Sequence, residues 1–231
     1  MAVLDKIPVR MTVDEFLRWD SGDECTYELV DGEPRAMAPA STIHGFLQNE
    51  LGRLIGNHLR DKASGCEVVA NPGIVPRLLS EHNVRIPDLA VTCSALAAGQ
   101  ATLADPVLLI EILSPSNQAQ TFVHVLAYTS IASVQEILVL RADCIAAELL
   151  RRPLQGEWPE RPIAITEGDL VLESIDFRVA LADLYTRTGL QTPLGSTGKS
   201  TPTPISGPQF PPTPIPRRQF RQFRRFPPRP I

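Results

Sequence analysis

Two carboxylates set in apolar surroundings are the residues of this chain best placed to do chemistry. Asp88 lies in Arg85-Ile86-Pro87-Asp88-Leu89-Ala90-Val91, and Glu111 in Pro106-Val107-Leu108-Leu109-Ile110-Glu111-Ile112-Leu113-Ser114-Pro115. Both runs are too short for a helix and rich in Val, Ile and Leu, the pattern of buried strands. A carboxylate in such a strand is costly unless something compensates its charge. Neighbouring strands lie about 4.7–4.9 Å apart, so the two acids could grip one hard cation. Magnesium is commonly held by one or two carboxylates, with water and phosphate oxygens completing the octahedron. Taken singly, each acid has an ordinary reading, as a solvated strand end or as the Pro-Asp opening of a turn. The pair together carries the expectation of a metal site.

The elements that must position these acids can be read on either side of them. Thr12 with Glu15 three residues later makes a capping box for a short helix carrying Phe16, Leu17 and Trp19. Asp31-Gly32 between two short runs signals a hairpin, with Glu28 and Glu33 flanking the turn. Ser41 or Thr42 can cap a helix over about 43–62, whose Phe46, Leu47, Leu51, Leu54, Ile55 and Leu59 recur at core-facing spacing. His44 falls in its first turn, where a lone histidine is ordinarily a surface residue. Residues 66–69 and 73–78 read as strands of one hairpin. After the Asp88 and Glu111 strands comes a helix over 119–130, then a strand over 134–140 with an antiparallel partner at 146–151. Leu170-Val171-Leu172 and Phe177 suggest further sheet edge, and 179–185 a short amphipathic helix. This order describes an α/β domain with a mixed sheet and helices packed on it.

The whole chain narrows the function classes. Its net charge of −4 hides a split: residues 191–231 hold seven basic residues and no acid, which leaves 15 basic and 26 acidic residues in 1–190. An acidic body attracts nucleic acid poorly in bulk, so contact with DNA needs a local basic groove, a bound metal or the tail. The tail also holds eleven of the 22 prolines, and Phe220, Phe223 and Phe226 recur among its arginines. That composition predicts a disordered appendage to a 1–190 domain. Interleaved Arg and aromatics can bind single strands, against the plainer reading of a non-functional extension. Cys25, Cys66, Cys93 and Cys144 lack zinc spacing and read as small hydrophobes. No signal region or membrane-length apolar run is present, so a cytoplasmic protein without a membrane partner is expected.

Seven short motifs, in order, resemble one family: Tyr27-Glu28-Leu29-Val30-Asp31-Gly32-Glu33, Met37-Ala38-Pro39, His44-Gly45, Pro87-Asp88, Ile110-Glu111-Ile112-Leu113-Ser114-Pro115-Ser116, Tyr128, and Ser133-Val134-Gln135-Glu136-Ile137-Leu138-Val139. The chain is similar, over about residues 11–186, to the bacterial "putative restriction endonuclease" family of the Uma-two type, within the PD-(D/E)XK nuclease superfamily. The resemblance implies a restriction-endonuclease-like mixed β-sheet flanked by helices. It implies an Mg²⁺ site, open also to Mn²⁺, built from Asp88 and Glu111. DNA is the implied substrate, and pairing of two copies is common among such nucleases. Glu28, Glu33 and His44 fall on the family's preceding acid and histidine positions, with Glu28 ranked above Glu33.

The sequence also departs from that pattern. Where the superfamily places a lysine two residues after the Glu, this chain has Leu113. Relatives that carry the lysine in the following helix, after an Asp, are not matched either. The three lysines are Lys6, Lys62 and Lys199; His124 stands near the expected place, and Gln118, Ala119 and Gln120 stand where an acid is common. His124 could orient water or act as a base, or be a satisfied histidine on the helix surface. Two functions are therefore expected to compete: a metal-dependent DNA endonuclease using Asp88, Glu111, Glu28, His44 and His124, and a catalytically inactive nuclease-fold module for binding or assembly.

Overall fold

The computed structural model describes residues 10–115 and 118–193. Its centre is a six-stranded sheet: β3 (Glu67–Ala70), β4 (Leu89–Thr92), β5 (Pro106–Leu113), β6 (Glu136–Arg141), β7 (Ala147–Arg151) and β8 (Ile163–Ile165), in that spatial order. Every pairing is antiparallel except β5 with β6. Parallel neighbours require a crossover, here supplied by helix α3 (Gln118–Thr129). The central strands are buried on both faces, which is why they read as unbroken apolar runs rather than as alternation.

The two faces of the sheet receive different helices. Helix α2 (Thr42–Asp61) is capped by Ser41, whose Oγ accepts from the His44 N–H at 3.2 Å. Its Leu47, Leu51, Ile55 and Leu59 stand four apart and pack on Leu108, Ile110 and Ile112 of β5 with Leu89 and Val91 of β4. The intervening residues, Leu109 and Leu113, turn to the other face and meet Val125 and Tyr128 of α3. Glu111 follows this alternation and points toward α3.

Helix α1 (Val13–Phe16) has the predicted capping box, with Glu15 and Thr12 bonding reciprocally, but ends before Trp19. Strands β1 (Tyr27–Val30) and β2 (Glu33–Ala36) form the hairpin expected from Asp31-Gly32. Both turn residues have positive φ, 51° and 84°. A side chain at Gly32 would place its Cβ 2.6 Å from that of Arg10, so glycine is required there on two counts. The hairpin is a separate sheet, tied to the body by paired backbone bonds between Leu29 and Val84.

Four expectations are corrected. Residues 73–78 form no strand; Asn71 at φ 50° turns the chain away, and only single bridges, such as Ile74 with Arg85, remain. β3 pairs with β4 instead. Leu170–Leu172 and Phe177 do not extend the main sheet: β9 (Asp169–Leu172) and β10 (Phe177–Ala180) pair with each other, followed by a 3₁₀ turn at Leu181–Tyr185 in place of a longer helix. Cys66 and Cys93 are not merely small hydrophobes. The Glu67–Thr92 register sets them opposite one another at the end of β3 and β4, and they form a disulfide. Among the described residues no helix is long and apolar enough to cross a membrane. The expected tail lies, apart from residues 191–193, outside the described residues.

Leu51 is fully buried between α2 and the sheet, whereas Leu154 is fully exposed. Leu51→Ala is expected to lower the unfolding free energy by about 2–5 kcal/mol. Leu154→Ala should change it by less than about 0.5 kcal/mol. Urea denaturation of the two variants checks both values.

Candidate active site

The sheet brings the two acids together from sites far apart in the chain. β4 and β5 are in register with Leu89 opposite Ile110, so Asp88 and Glu111 are the next residues along. Asp88 stands just before β4 and closes its ladder: its Oδ2 accepts the Ile112 N–H at 2.6 Å, where a backbone carbonyl would otherwise serve. Its own carbonyl accepts from Asn71 N at 3.1 Å and from Gln48 Nε2 at 2.8 Å. This fixes the backbone beneath the carboxylate. Asp88 and Glu111 are close enough that the Asp88 charge raises the Glu111 pKa.

A third carboxylate, Glu28, arrives from β1. It is 1% exposed, beside 5% for Glu111 and 9% for Asp88. His124 lies between Glu28 and Glu111, with Nε2 2.7 Å from Glu28 Oε2 and Nδ1 3.1 Å from Glu111 Oε1. The Glu28 contact is close but off the line of a hydrogen bond. Gln120 Nε2 donates to Glu28 Oε1 at 2.7 Å, and the Tyr128 hydroxyl donates to Glu111 Oε1 at 2.6 Å. Gln120, His124 and Tyr128 stand four apart and so share one face of α3. On the other side, His44 Nε2 approaches Asp88 Oδ1 at 3.2 Å.

The electrostatics follow from this packing. Burial disfavours charge on His124, but the Glu111 and Glu28 carboxylates outweigh it and raise the ring to about 9. Geometry points the same way: a ring with a carboxylate on each nitrogen is best satisfied with a proton on both. Burial pushes Glu28 up, but His124, then Arg85 and Gln120, hold it below the usual carboxylate range. Glu111 goes the other way: burial dominates, Asp88 adds to it, and its pKa is raised despite His124 and Tyr128. Burial lowers the His44 pKa, yet Asp88 and then Glu111 leave it raised overall.

Residues 13–182, more than half of the chain, match the family described as "Putative restriction endonuclease", Uma2. The chain belongs to the Uma2 family. It is also similar to the "Uncharacterized protein slr1290" of Synechocystis sp., 25% identical over 151 residues, which are 64% of this chain and 78% of that one. Its fold is that of a crystal structure described as a putative nuclease belonging to DUF820 from Anabaena variabilis. The TM-score is 0.62 at 18% identity, covering 76% of this chain and 98% of that one. The mixed, helix-flanked sheet is thus the restriction-endonuclease-like fold.

Against the sequence-predicted site, this Uma2 chain brings Asp88, Glu111, Glu28, His44 and His124 into one connected cluster. Glu33 is left out; on β2 it is exposed and faces Arg35. His44 and His124 are not surface histidines, since each is buried against a carboxylate that would otherwise be short of partners. Tyr128 was legible only as a family position, and Gln120 only as the replacement of an acid. The signal for their role was the i, i+4, i+8 spacing, which sets these polar groups on one face of the helix. Arg85 and Gln48 were missed as site residues.

A metal in this family site must fit the donors present. Asp88 and Glu111 are hard oxygen donors at neighbouring positions of paired strands, and two carboxylates are a usual protein share for magnesium. Among the described residues no three His, Cys, Asp or Glu groups converge as a ready-made cluster. The residues therefore fit an ion that relies on water and substrate for its other ligands. They do not fit an all-protein cage.

A histidine raised on folding contributes stability in full below its unfolded value of about 6.5, and loses it as pH climbs through its folded value. For His124 the loss begins near that unfolded value and is complete at about 9. Stability should therefore fall between about pH 6.5 and 9, by on the order of 3 kcal/mol. His124→Gln should remove most of that slope in urea titrations run across the range.

Proposed function

We propose that this chain is a metal-dependent endonuclease that hydrolyses phosphodiester bonds of DNA, with Asp88 and Glu111 holding Mg²⁺ or Mn²⁺. The observation that carries this reading is the adjacency of Asp88 and Glu111, two buried acids brought together by the β4–β5 register, within a nuclease fold. Burying carboxylates side by side opposes folding, so a fold that does it has a use for the charge. The bound ion supplies a polarised phosphoryl oxygen and a water of lowered pKa. The protein groups hold the carboxylates in place for it. The Ile112 N–H and His44 orient Asp88; Tyr128 and His124 orient Glu111; Glu28 anchors His124. His124, cationic and next to Glu111, is the group nearest in character to the missing lysine, offsetting negative charge that develops on the phosphate. Two copies acting together would let both strands of a duplex be cut.

A second reading, a nuclease-fold module that binds or assembles without catalysis, is favoured by one specific observation. His124 is held by Glu111 at Nδ1 and packed 2.7 Å from Glu28 at Nε2, so it has less freedom than a lysine to reach a water.

Calorimetric titration of Mn²⁺ into the full chain separates the parts of this proposal. Wild type should bind, Asp88→Ala should not, and Tyr128→Phe, which removes an outer partner of Glu111, should weaken binding about 10–100-fold. Plasmid nicking with Mn²⁺ should be weak in wild type and absent in Glu111→Ala. Equal binding by wild type and Asp88→Ala would remove the metal site; binding without any nicking would leave the non-catalytic module.

A further inference from the structure

The β3–β4 ladder ends on a disulfide at one side and on Asp88 at the other. Its register runs from Glu67 opposite Thr92 to Ala70 opposite Leu89. One residue beyond the first pair stand Cys66 and Cys93, joined to each other. One residue beyond the last stand Asn71 and Asp88, where the Asn71 N–H donates to the Asp88 carbonyl at 3.1 Å. Gln48 Nε2 ties that end to α2, donating to Asn71 Oδ1 and to the Asp88 carbonyl, both at 2.8 Å. Whatever holds β3 on β4 therefore also holds the backbone beneath the Asp88 carboxylate.

β3 is held by little else. It is an edge strand of four residues, with β4 its ladder partner and no residue fully buried. Val68 packs against the core beneath α2. Elements with few buried contacts open locally well below the cost of global unfolding. The disulfide spans 27 residues of sequence, a segment that includes β3, Asn71 and Asp88, and it keeps the two strand ends together when the ladder opens.

The two sulfurs differ in access. Cys93 is exposed, whereas Cys66 is half-buried and packs against the core. Which sulfur a thiolate attacks depends on which it can reach. We propose that this disulfide is a thiol-exchange site, opened by attack of an external thiol at Cys93, and that opening it loosens the ladder that holds Asp88. The external thiolate bonds to Cys93 Sγ and the S–S bond breaks. The electron pair leaves on Cys66 Sγ, which takes up a proton. A second external thiolate attacks the external sulfur of the mixed disulfide and releases Cys93 as a thiolate, which is protonated in turn. Two external thiols are oxidised to one disulfide, and the protein disulfide is reduced to two thiols. This chemistry does not rest on the metal site or on nuclease activity.

Mass spectrometry and hydrogen exchange on the full, metal-free chain test this, with reduced glutathione as the probe. Cys25→Ser and Cys144→Ser remove the two free thiols first. Brief exposure, acid quenching and alkylation should place glutathione on Cys93 and the alkyl label on Cys66, at least about tenfold over the reverse. Full reduction should speed amide exchange over 67–71 and 89–92 at least about tenfold and leave α3 unchanged. Cys66→Ser with Cys93→Ser should reproduce the reduced pattern without reductant. Glutathione on Cys66, equal labelling of both sulfurs, or no reaction would overturn the proposal. So would amides over 67–71 that ignore reduction, or equal acceleration in α3, which would make the bridge a general stabiliser.

Discussion

Glu28, Asp88 and Glu111 are withdrawn from water, Asp88 within reach of the Glu111 charge, and the surrounding structure is arranged to compensate them. The principal compensation is one imidazole. His124 touches Glu28 through one nitrogen and Glu111 through the other. Breaking a buried ion pair by removing one partner costs about 3–5 kcal/mol, because the remaining charge is left uncompensated. His124 therefore acts as a structural cation as well as a site residue, and any catalytic use of it draws on the same charge that holds the acids in place.

This contact also explains how the parts of the fold are joined. The β1–β2 hairpin shares no ladder with the six-stranded sheet. Besides the Leu29–Val84 backbone pair, it is attached by Arg85 reaching the Leu29 carbonyl, by Gln120 reaching Glu28, and by His124. Helix α3 makes the parallel β5–β6 pair possible, and the face it turns inward carries Gln120, His124 and Tyr128 onto the acids. The topology that closes the sheet thus also delivers the counter-charges. Asp88 has the same double role, ending the β4 ladder on Ile112 and presenting its other oxygen to His44.

Much of this was legible in the sequence because it depends on local signals. The apolar runs around Asp88 and Glu111 gave β4 and β5; Asp31-Gly32 gave the hairpin; Ser41 and the four-residue leucine spacing gave α2. The acid pair was legible because a charge inside such a run needs a reason. What was not legible depends on long-range pairing. Nothing local says that Cys66 and Cys93 meet, since that follows from the β3–β4 register. Residues 73–78 carry strand-like residue types, but the turn at Asn71 denies them a partner. His44 and His124 looked like isolated histidines, because the carboxylates they serve lie 44 and 13 residues away in the chain for the nearest contacts. Arg85 sits three residues before Asp88, yet only the folded hairpin shows that its guanidinium reaches the Leu29 carbonyl, close enough to lower the Glu28 pKa.

The central claim is that His124 is a buried imidazolium clamped between Glu28 and Glu111. Nitrogen-15 NMR of the histidine side chains in the metal-free protein tests it most directly. The account predicts that both His124 ring nitrogens show the shifts of a protonated ring at about pH 7.5 and leave them only near the value of about 9 that the two carboxylates impose. A His124 signal that is already neutral at that pH, or that titrates near the ordinary histidine value of about 6.5, would contradict it.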